Sequence, residues 1–224
     1  MAVSESLPGA LSQIVDFSAV LLRGAVMSVQ ITVGALLVAI VLGLILAVIK
    51  ASPIRTTRAL TDAYIELFRG IPPLTQLFII YFGLTYAGIQ FDSVTAAIIG
   101  LGMNGGAVLA EVFRSGIAAL HHGQREAALA VGMTPIAAMR HIILPQALRI
   151  TLPSLANYAL NLLKETSIVA AIAAPEIMFY ARQLTTKTFE TAMIYLLVAI
   201  LYFCLCFPLA RLSDRLERTR KAWQ

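Results

Sequence analysis

Four long windows of this 224-residue chain contain no charged side chain, and they cover residues 24–49, 70–91, 93–110 and 191–210. A helix needs about 20 mainly apolar residues to cross a bilayer. A fifth apolar stretch, 150–175, is interrupted only by Lys164 and Glu165. In lipid only helices and closed barrels pair all their backbone groups, and the windows lack the alternating polar residues of barrel strands. The sequence therefore predicts an all-α integral membrane protein with about five transmembrane helices.

The composition agrees with this fold class and excludes others. Hydrophobic residues make up 59% of the chain and charged residues 13%, and the mean hydropathy is +0.83, whereas globular proteins carry about 25% charged residues. This excludes a disordered chain and argues against an ordinary soluble domain, and no linker or repeat divides residues 1–224, so we expect a single domain. The charges that give the net +5 lie between the apolar windows, so we expect contact with a lipid bilayer and no nucleic-acid partner.

Two cysteines, Cys204 and Cys206, lie inside one apolar window. Side chains two positions apart on a helix point about 200° away from each other, so this pair cannot bind one metal ion together. No metal site is expected. Several tyrosines, Tyr202 among them, lie near the ends of the expected spans. There we expect them to anchor the helices at the membrane interface.

The distribution of Lys and Arg predicts the orientation of the chain. If the N-terminus lies outside, the inner segments carry twelve of these cations and the outer segments three. Cytoplasmic loops are enriched in Lys and Arg. The sequence therefore predicts an outside N-terminus, a cytoplasmic C-terminus and two inner loops, at 50–65 and at about 116–149.

The larger inner loop has the pattern of two short helices. The residues before Gly132 favour helix, and this glycine can adopt the conformation that ends one. Thr134 and Pro135 then fit the N-cap and first turn of a second helix. This second helix is expected to end near Leu144 and Pro145, because a residue before proline avoids the helical region. The pattern predicts a docking surface, and a solvated amphipathic connector is the alternative.

The same loop contains Glu126-Ala127-Ala128, and Gly132 follows after three intervening residues. Nine further residues separate Gly132 from Ile142, and one residue separates Ile142 from Leu144-Pro145. This spacing resembles the EAA motif, E-A-A-x3-G-x9-I-x-L-P, of the permease subunits of bacterial ABC importers. Outside the loop, the stretches IELFRGIPPLTQLFIIYFGL, EVFR and LLKETSIVAAIAAPEI are similar to the polar amino-acid permease family of histidine, glutamine and arginine type. The similarity runs from about residue 20 to the C-terminus.

The resemblance implies the type I ABC importer permease fold in a bacterial inner membrane. It implies several partners: a cytoplasmic ABC ATPase dimer that binds ATP and Mg²⁺, a second permease chain, identical or different, and an external solute-binding protein that delivers a polar amino acid. The residues expected to couple the loop to the ATPase are Arg125, Glu126, Ala127, Ala128, Gly132, Leu144 and Pro145.

The chain itself lacks the pattern of an ATP-binding subunit. A Walker A loop needs Gly-Lys followed by Ser or Thr, and none of the lysines follows a glycine. We therefore expect a non-catalytic transport subunit with no cofactor of its own. The alternative is a stand-alone secondary carrier or a membrane-embedded enzyme. An ion-coupled carrier would need several acidic residues buried together, and the acidic candidates near the expected spans, Glu66, Glu111 and Glu165, belong to three different spans.

Polar side chains within the expected spans are candidates for the solute path, because such groups are costly in lipid. Lys164 and Glu165 are the first, and Thr166 and Ser167 extend the polar patch; a structural ion pair at a helix interface is the alternative. Asn104, beside a stripe of small residues in the third span, is either a solute contact or an interhelical hydrogen bond. A carboxylate suits a cationic solute and a lysine an anionic one, so the identity of the amino acid stays open.

The start of the second span carries a further pattern. Glu66 and Arg69 are three residues apart and share one helix face, where they can pair. Pro72 and Pro73 remove two backbone donors and predict a bend. Freed carbonyls at such breaks line cavities in many transporters, and Gln76 would face the same space. A plain structural kink is the alternative.

Overall fold

The computed structural model describes residues 7–52, 54–120 and 122–221, and these form helices without any strand. In chain order the α-helices are α1 (Leu7–Lys50), α2 (Arg55–Gly70), α3 (Pro73–Phe78), α4 (Leu84–Tyr86), α5 (Ser93–Ala118), α6 (His122–Ala130), α7 (Pro135–Ala138), α8 (Leu144–Glu165), α9 (Ile177–Thr188) and α10 (Thr191–Lys221). The π-helical turns Ile79–Gly83 and Met139–Ile143 each join two helices into one continuous path, whereas the 3₁₀ segment Thr166–Ile172 follows α8 and leads into the irregular connection to α9.

Three helices of the described chain are long and apolar enough to cross a membrane, over Ser12–Lys50, Ser93–Ala118 and Thr191–Arg218. A fourth crossing results if α2 and the helical stretch Pro73–Tyr86, which contains α3 and α4, count as one broken span. These two parts are bent by 103° at the short break between them. The remaining predicted span, 150–175, is not a single helix, because α8 ends at Glu165 and the 3₁₀ segment follows. The all-α membrane fold is confirmed, with three to four crossings by length and composition where about five were expected.

Helices α1 and α5 pack at very short distance. A Cβ atom added at Gly102 would lie 2.6 Å from Val38 Cγ1, and one added at Gly106 would lie 2.7 Å from Leu42 Cδ2. Small residues in a membrane helix let a neighbouring helix approach to this extent. Gly102 and Gly106 belong to the stripe of small residues in the third expected span, and the helix that approaches them is α1 of the same chain.

The connection between α8 and α9 is irregular. The 3₁₀ segment Thr166–Ile172 spans seven residues, and Ala173 follows in the left-handed conformation with φ 58°. Glu176 then caps α9 by accepting a hydrogen bond from the Phe179 amide at 2.8 Å. Irregular backbone at membrane depth is tolerated where protein covers it. In this connection Val169, Ala170, Ile172 and Ala174 are buried.

Helix α6 ends at Gly132 in the way that the sequence predicts. Gly132 has φ 87°, its amide donates to the Leu129 carbonyl at 3.0 Å, and the Met133 amide donates to the Ala128 carbonyl at 3.1 Å. This pair of hydrogen bonds is a Schellman motif, which needs a residue that tolerates positive φ. The turn between the two loop helices therefore has a defined geometry.

The second loop helix begins as predicted but does not end where the sequence placed its end. Thr134 caps α7, and its Oγ1 accepts a hydrogen bond from the Ala137 amide at 3.2 Å. The helix does not stop near Leu144 and Pro145; it widens into the π turn Met139–Ile143 and continues as α8. The wider turn accommodates a proline that has no N–H to donate.

Candidate solute pathway and coupling surface

The break between α2 and α3 is held by two side-chain amides. Gln76 donates through Nε2 to the Phe68 and Ile71 carbonyls, at 2.7 Å each. Asn104 of α5 donates through Nδ2 to the Phe68 carbonyl at 2.9 Å and to Gln76 Oε1 at 3.3 Å. The last carbonyls of α2 need such partners, because a helix end offers them no backbone donor. The structure thus brings Gln76 and Asn104 together, and both stabilise the bend.

A cavity of about 350 Å³ opens at this bend. Its lining residues are Arg69, Gly70, Ile71, Pro72, Pro73, Asn104 and Val108. The volume is at the low end of the range for small-molecule sites. The predicted ion pair between Glu66 and Arg69 is not formed: both side chains are exposed, and neither takes part in an ion pair within 4 Å among the described residues. Arg69 is therefore available to the cavity.

The Lys164–Ser167 patch does not line that cavity, and its members differ in environment. Lys164 is exposed, and Glu165 and Ser167 are half-buried. Thr166 is fully buried, and its hydroxyl donates to the Leu163 carbonyl at 2.7 Å. Among the described residues no side-chain hydrogen bond or ion pair of Lys164, Glu165 or Ser167 is formed. The polar groups of these three residues have no partner among the described residues, whereas the Thr166 hydroxyl is used within its own helix.

Glu176 is a buried acid that the sequence pattern does not single out. Its side chain is 0% exposed; Oε1 accepts from the Phe179 amide at 2.8 Å and Oε2 from the Tyr202 hydroxyl at 3.1 Å. Tyr202 was expected to anchor the membrane interface, and it is instead the partner of this carboxylate. The signal that could have found Glu176 is its place directly after Pro175 at a helix start, where a negative charge is favourable.

A second unpredicted cluster joins three helices through charges. Lys50 Nζ lies 2.7 Å from Asp62 Oδ1 on α2 and 2.7 Å from Glu111 Oε1 on α5. Arg114 Nε lies 2.8 Å from Glu111 Oε2. The Lys50 and Glu111 side chains are only 22% and 24% exposed. The cluster fixes the end of α1 relative to α2 and α5.

The helix–turn–helix loop presents an exposed surface of mixed chemistry. Arg125, Glu126 and Ala127 are exposed on α6. At the turn between the two helices, Val131 is 78% exposed, and Ile136 on α7 is 80% exposed. Exposed apolar residues grouped beside charged ones are typical of a surface that a partner covers.

The other expected coupling residues lie behind this surface or at its edge. Ala128 is only 5% exposed, so it packs inward and does not belong to the docking face on which it was expected. Leu144 is half-buried and Pro145 exposed at the start of α8. Gln146 Nε2 donates to Gln124 Oε1 at 3.3 Å, and this bond ties α6 to α8.

The comparison with known families decides the class of protein. The profile of the family described as "Binding-protein-dependent transport system inner membrane component" matches residues 39–222. The chain belongs to this family. It is a transport permease subunit of the ABC importer class, in which ATP hydrolysis takes place in a separate ATPase. The matched range contains the bend, the 3₁₀ segment and the loop.

Relatives and solved structures agree with this assignment of the permease. The "Probable amino-acid ABC transporter permease protein YckA" of Bacillus subtilis is 40% identical over 178 residues, which cover 80% of this chain and 79% of that protein. The "Arginine transport system permease protein ArtQ" of Bacillus subtilis is 33% identical over 214 residues, which cover 92% and 98%. Both relatives therefore span most of the permease.

Two solved structures have the same fold as the permease. One, described as the crystal structure of an amino acid ABC transporter with histidines, superposes with a TM-score of 0.85 at 34% identity and covers 98% of this chain and 100% of that one. The other, an inward-facing MetNI methionine ABC transporter, reaches a TM-score of 0.71 at 22% identity and covers 90% and 96%. The predicted type I ABC importer permease fold is confirmed.

Proposed function

We propose that this permease moves a polar amino acid into the cytoplasm across a bacterial inner membrane, driven by a cytoplasmic ABC ATPase dimer that binds the loop at 116–149. The observation that carries the proposal is the exposed surface of Arg125, Glu126 and Ala127 beside Val131 and Ile136, presented on a turn of fixed geometry. The amino-acid solutes named for the relatives and for the similar structure support the solute class.

The shape of the loop suits the transfer of force. The Schellman turn at Gly132 sets the angle between α6 and α7, and the Gln124–Gln146 hydrogen bond joins α6 to α8. A push on such a unit moves α8 as a body, because no long flexible stretch absorbs the displacement. Leu144 and Pro145 lie at the start of α8. We therefore assign the coupling contact to Arg125, Glu126 and Ala127, with Ala128 packing behind them.

The solute path needs groups of both signs, because an amino acid carries an ammonium and a carboxylate. Arg69 lines the cavity at the bend, and Glu165, Lys164 and Ser167 have polar groups without a hydrogen-bonding partner among the described residues. Hydrogen-bonding groups that have no partner in the protein favour a polar solute over an apolar one. Thr166, Asn104 and Gln76 shape the path, since their polar atoms already bind the backbone.

Further chains complete the transporter in this proposal. A chain with three to four apolar crossings encloses little by itself, so a second permease chain, identical or different, forms the other half of the path. An external solute-binding protein delivers the solute. The distribution of Lys and Arg supports an outside N-terminus, a cytoplasmic C-terminus and a cytoplasmic loop.

Reconstitution tests the proposal. The permease is expressed with its genomic neighbours, purified and placed in proteoliposomes with ATP on the loop side and the loaded solute-binding protein on the other. We expect ATP hydrolysis to depend on the loaded binding protein and labelled amino acid to accumulate on the ATP side. The proposal is contradicted if the purified complex contains no ATPase, or if the rate of ATP hydrolysis does not change when the loaded binding protein is added. Competition with unlabelled amino acids then identifies the solute.

The orientation has its own test. Val131→Cys, in a chain with Cys204 and Cys206 replaced by serine, provides a thiol at the exposed turn of the loop. In inside-out vesicles from cells that express the permease without the ATPase, a membrane-impermeant maleimide should label this thiol, and in intact cells it should not. Labelling from the outside of intact cells contradicts a cytoplasmic loop.

A further inference from the structure

Tyr202 of α10 contacts the chain just after the 3₁₀ segment that connects α8 to α9. Its hydroxyl donates to Glu176 Oε2 at 3.1 Å. The next residue is held from α1, because the Ile177 amide donates to Ser28 Oγ at 3.5 Å. Side chains of α10 and α1 thus hold the point at which the connection ends and α9 begins.

The segment needs support from outside because its own backbone is poorly stabilised. Its seven residues exceed the three or four that 3₁₀ helices usually reach, and the hydrogen bonds of this helix have poorer geometry. Ala173, directly after it, has φ 58°, a conformation that costs energy for any residue except glycine. Such backbone persists only where the surrounding structure determines it.

Glu176 supplies this support at the start of α9. The side chain is completely buried, and both of its oxygens accept hydrogen bonds, one from the Phe179 amide and one from Tyr202. Gly24 of α1 lies directly against its backbone, since a Cβ added there would be 2.8 Å from the carbonyl carbon of Glu176. Three helices therefore meet at this residue, and moving it requires that they move.

We propose that Glu176 and Tyr202 are positioning residues: by holding the far end of the connection, they fix the course of the 3₁₀ segment and with it where Glu165 and Ser167 present their polar groups to the solute. This inference rests on the proposed function, in which Glu165 and Ser167 contact the solute. Glu176 is fully buried and acts only through the segment. Loss of the Glu176–Tyr202 hydrogen bond therefore changes solute recognition and leaves the coupling loop as it is.

Kinetics of the reconstituted transporter test this role. Tyr202→Phe removes one hydroxyl and keeps the ring. We expect it to raise the KM for the solute about three- to tenfold, the effect of one hydrogen bond inside a membrane protein, without lowering kcat. Glu176→Gln, which keeps an acceptor for the Phe179 amide, should have a smaller effect than Glu176→Leu. Tyr195→Phe on the same helix is the matched control and should change neither constant. Equal KM values for Tyr202→Phe and Tyr195→Phe overturn the proposal, as does a loss of kcat at constant KM.

A second measurement does not depend on the identity of the solute. Ser167→Cys, in a chain with Cys204 and Cys206 replaced by serine, reports the exposure of the segment through its rate of reaction with a maleimide. Addition of Tyr202→Phe should raise that rate severalfold, and an unchanged rate overturns the positioning role whatever solute is carried. If Tyr202→Phe raises the maleimide reaction rate but the transporter carries no amino acid, the positioning role is supported and the proposed function is contradicted. The two proposals can therefore fail separately.

Discussion

The ammonium group of Lys50, the last residue of α1, lies 2.7 Å from Glu111 Oε1 on α5, although the two residues are 61 positions apart in the sequence. The same ammonium lies 2.7 Å from Asp62 on α2. One charge therefore joins three helices at one end of the bundle. Farther along α2, the Phe68 carbonyl accepts a hydrogen bond from Asn104 of α5, where the bend begins.

The first prediction concerns this cluster. Glu111→Gln leaves Arg114 without its carboxylate and Lys50 with Asp62 alone, so we expect the free energy of unfolding to fall by about 1–2 kcal/mol. The thermal unfolding midpoint of the purified chain in detergent measures the change. Asp62→Asn is the control, because Asp62 is 45% exposed and water screens its pair more strongly. An equal loss in both variants would contradict the central place of Glu111.

The second prediction concerns the turn of the loop. Gly132→Pro imposes φ near −65° where the chain has 87°, so it should abolish the coupling of ATP hydrolysis to the loaded binding protein while the membrane helices remain inserted. Glu126→Lys reverses one charge of the exposed surface and should uncouple as well. Gly132→Asn, a residue that tolerates the left-handed conformation, should keep most of the coupling. Normal uptake by Gly132→Pro would remove the loop from the coupling path.

The third prediction concerns the solute path. Glu165→Gln keeps the shape of the side chain and removes its charge, so the affinity for the solute or the choice among amino acids should change while the ATPase still binds. Competition uptake assays with cationic, neutral and anionic amino acids measure the choice. Glu190→Gln, an exposed carboxylate at the start of α10, is the control. Unchanged kinetics in Glu165→Gln would assign Glu165 to packing.

The fourth prediction concerns the bend. Gln76→Leu leaves the Phe68 carbonyl with Asn104 alone and removes the donor that Gln76 provides to the Ile71 carbonyl. A buried polar group without a partner costs about 1–3 kcal/mol, so the unfolding midpoint should fall clearly. Gln90→Leu, at an exposed position outside the helices, should stay within about 0.5 kcal/mol of the parent. Similar midpoints for the two variants would show that the bend does not depend on this amide.

Features that depend on a few neighbouring residues were predictable from the sequence. Gly132 and Thr134 end one helix and start the next through bonds to residues within five positions. Pro145 shows where a local rule fails, because the chain does not end the helix before the proline but widens it into a π turn. The rule that a residue before proline avoids the helical conformation describes an average preference. The packing of a whole helix can override such a local preference.

Contacts across the bundle were not predictable in this way. The Glu176–Tyr202 hydrogen bond joins residues 26 positions apart on two helices, and no spacing in the sequence states which faces of those helices meet. The expected Glu66–Arg69 pair failed for a related reason. A spacing of three residues on one helix face allows a pair, but the exposed side chains gain little from forming one in water. A single sequence contains the patterns of helices and turns and not the packing partners.

Residues 135–165 follow one unbroken helical path from the start of α7 to Glu165, about 45 Å at 1.5 Å per residue. In the proposed function such a path acts as a lever. If its loop end tilts by about 5°, the opposite end is displaced by up to about 4 Å, since displacement grows with the distance from the pivot. In that proposal an ATPase that closes on the loop needs no relay of side chains to reshape the far end of the path.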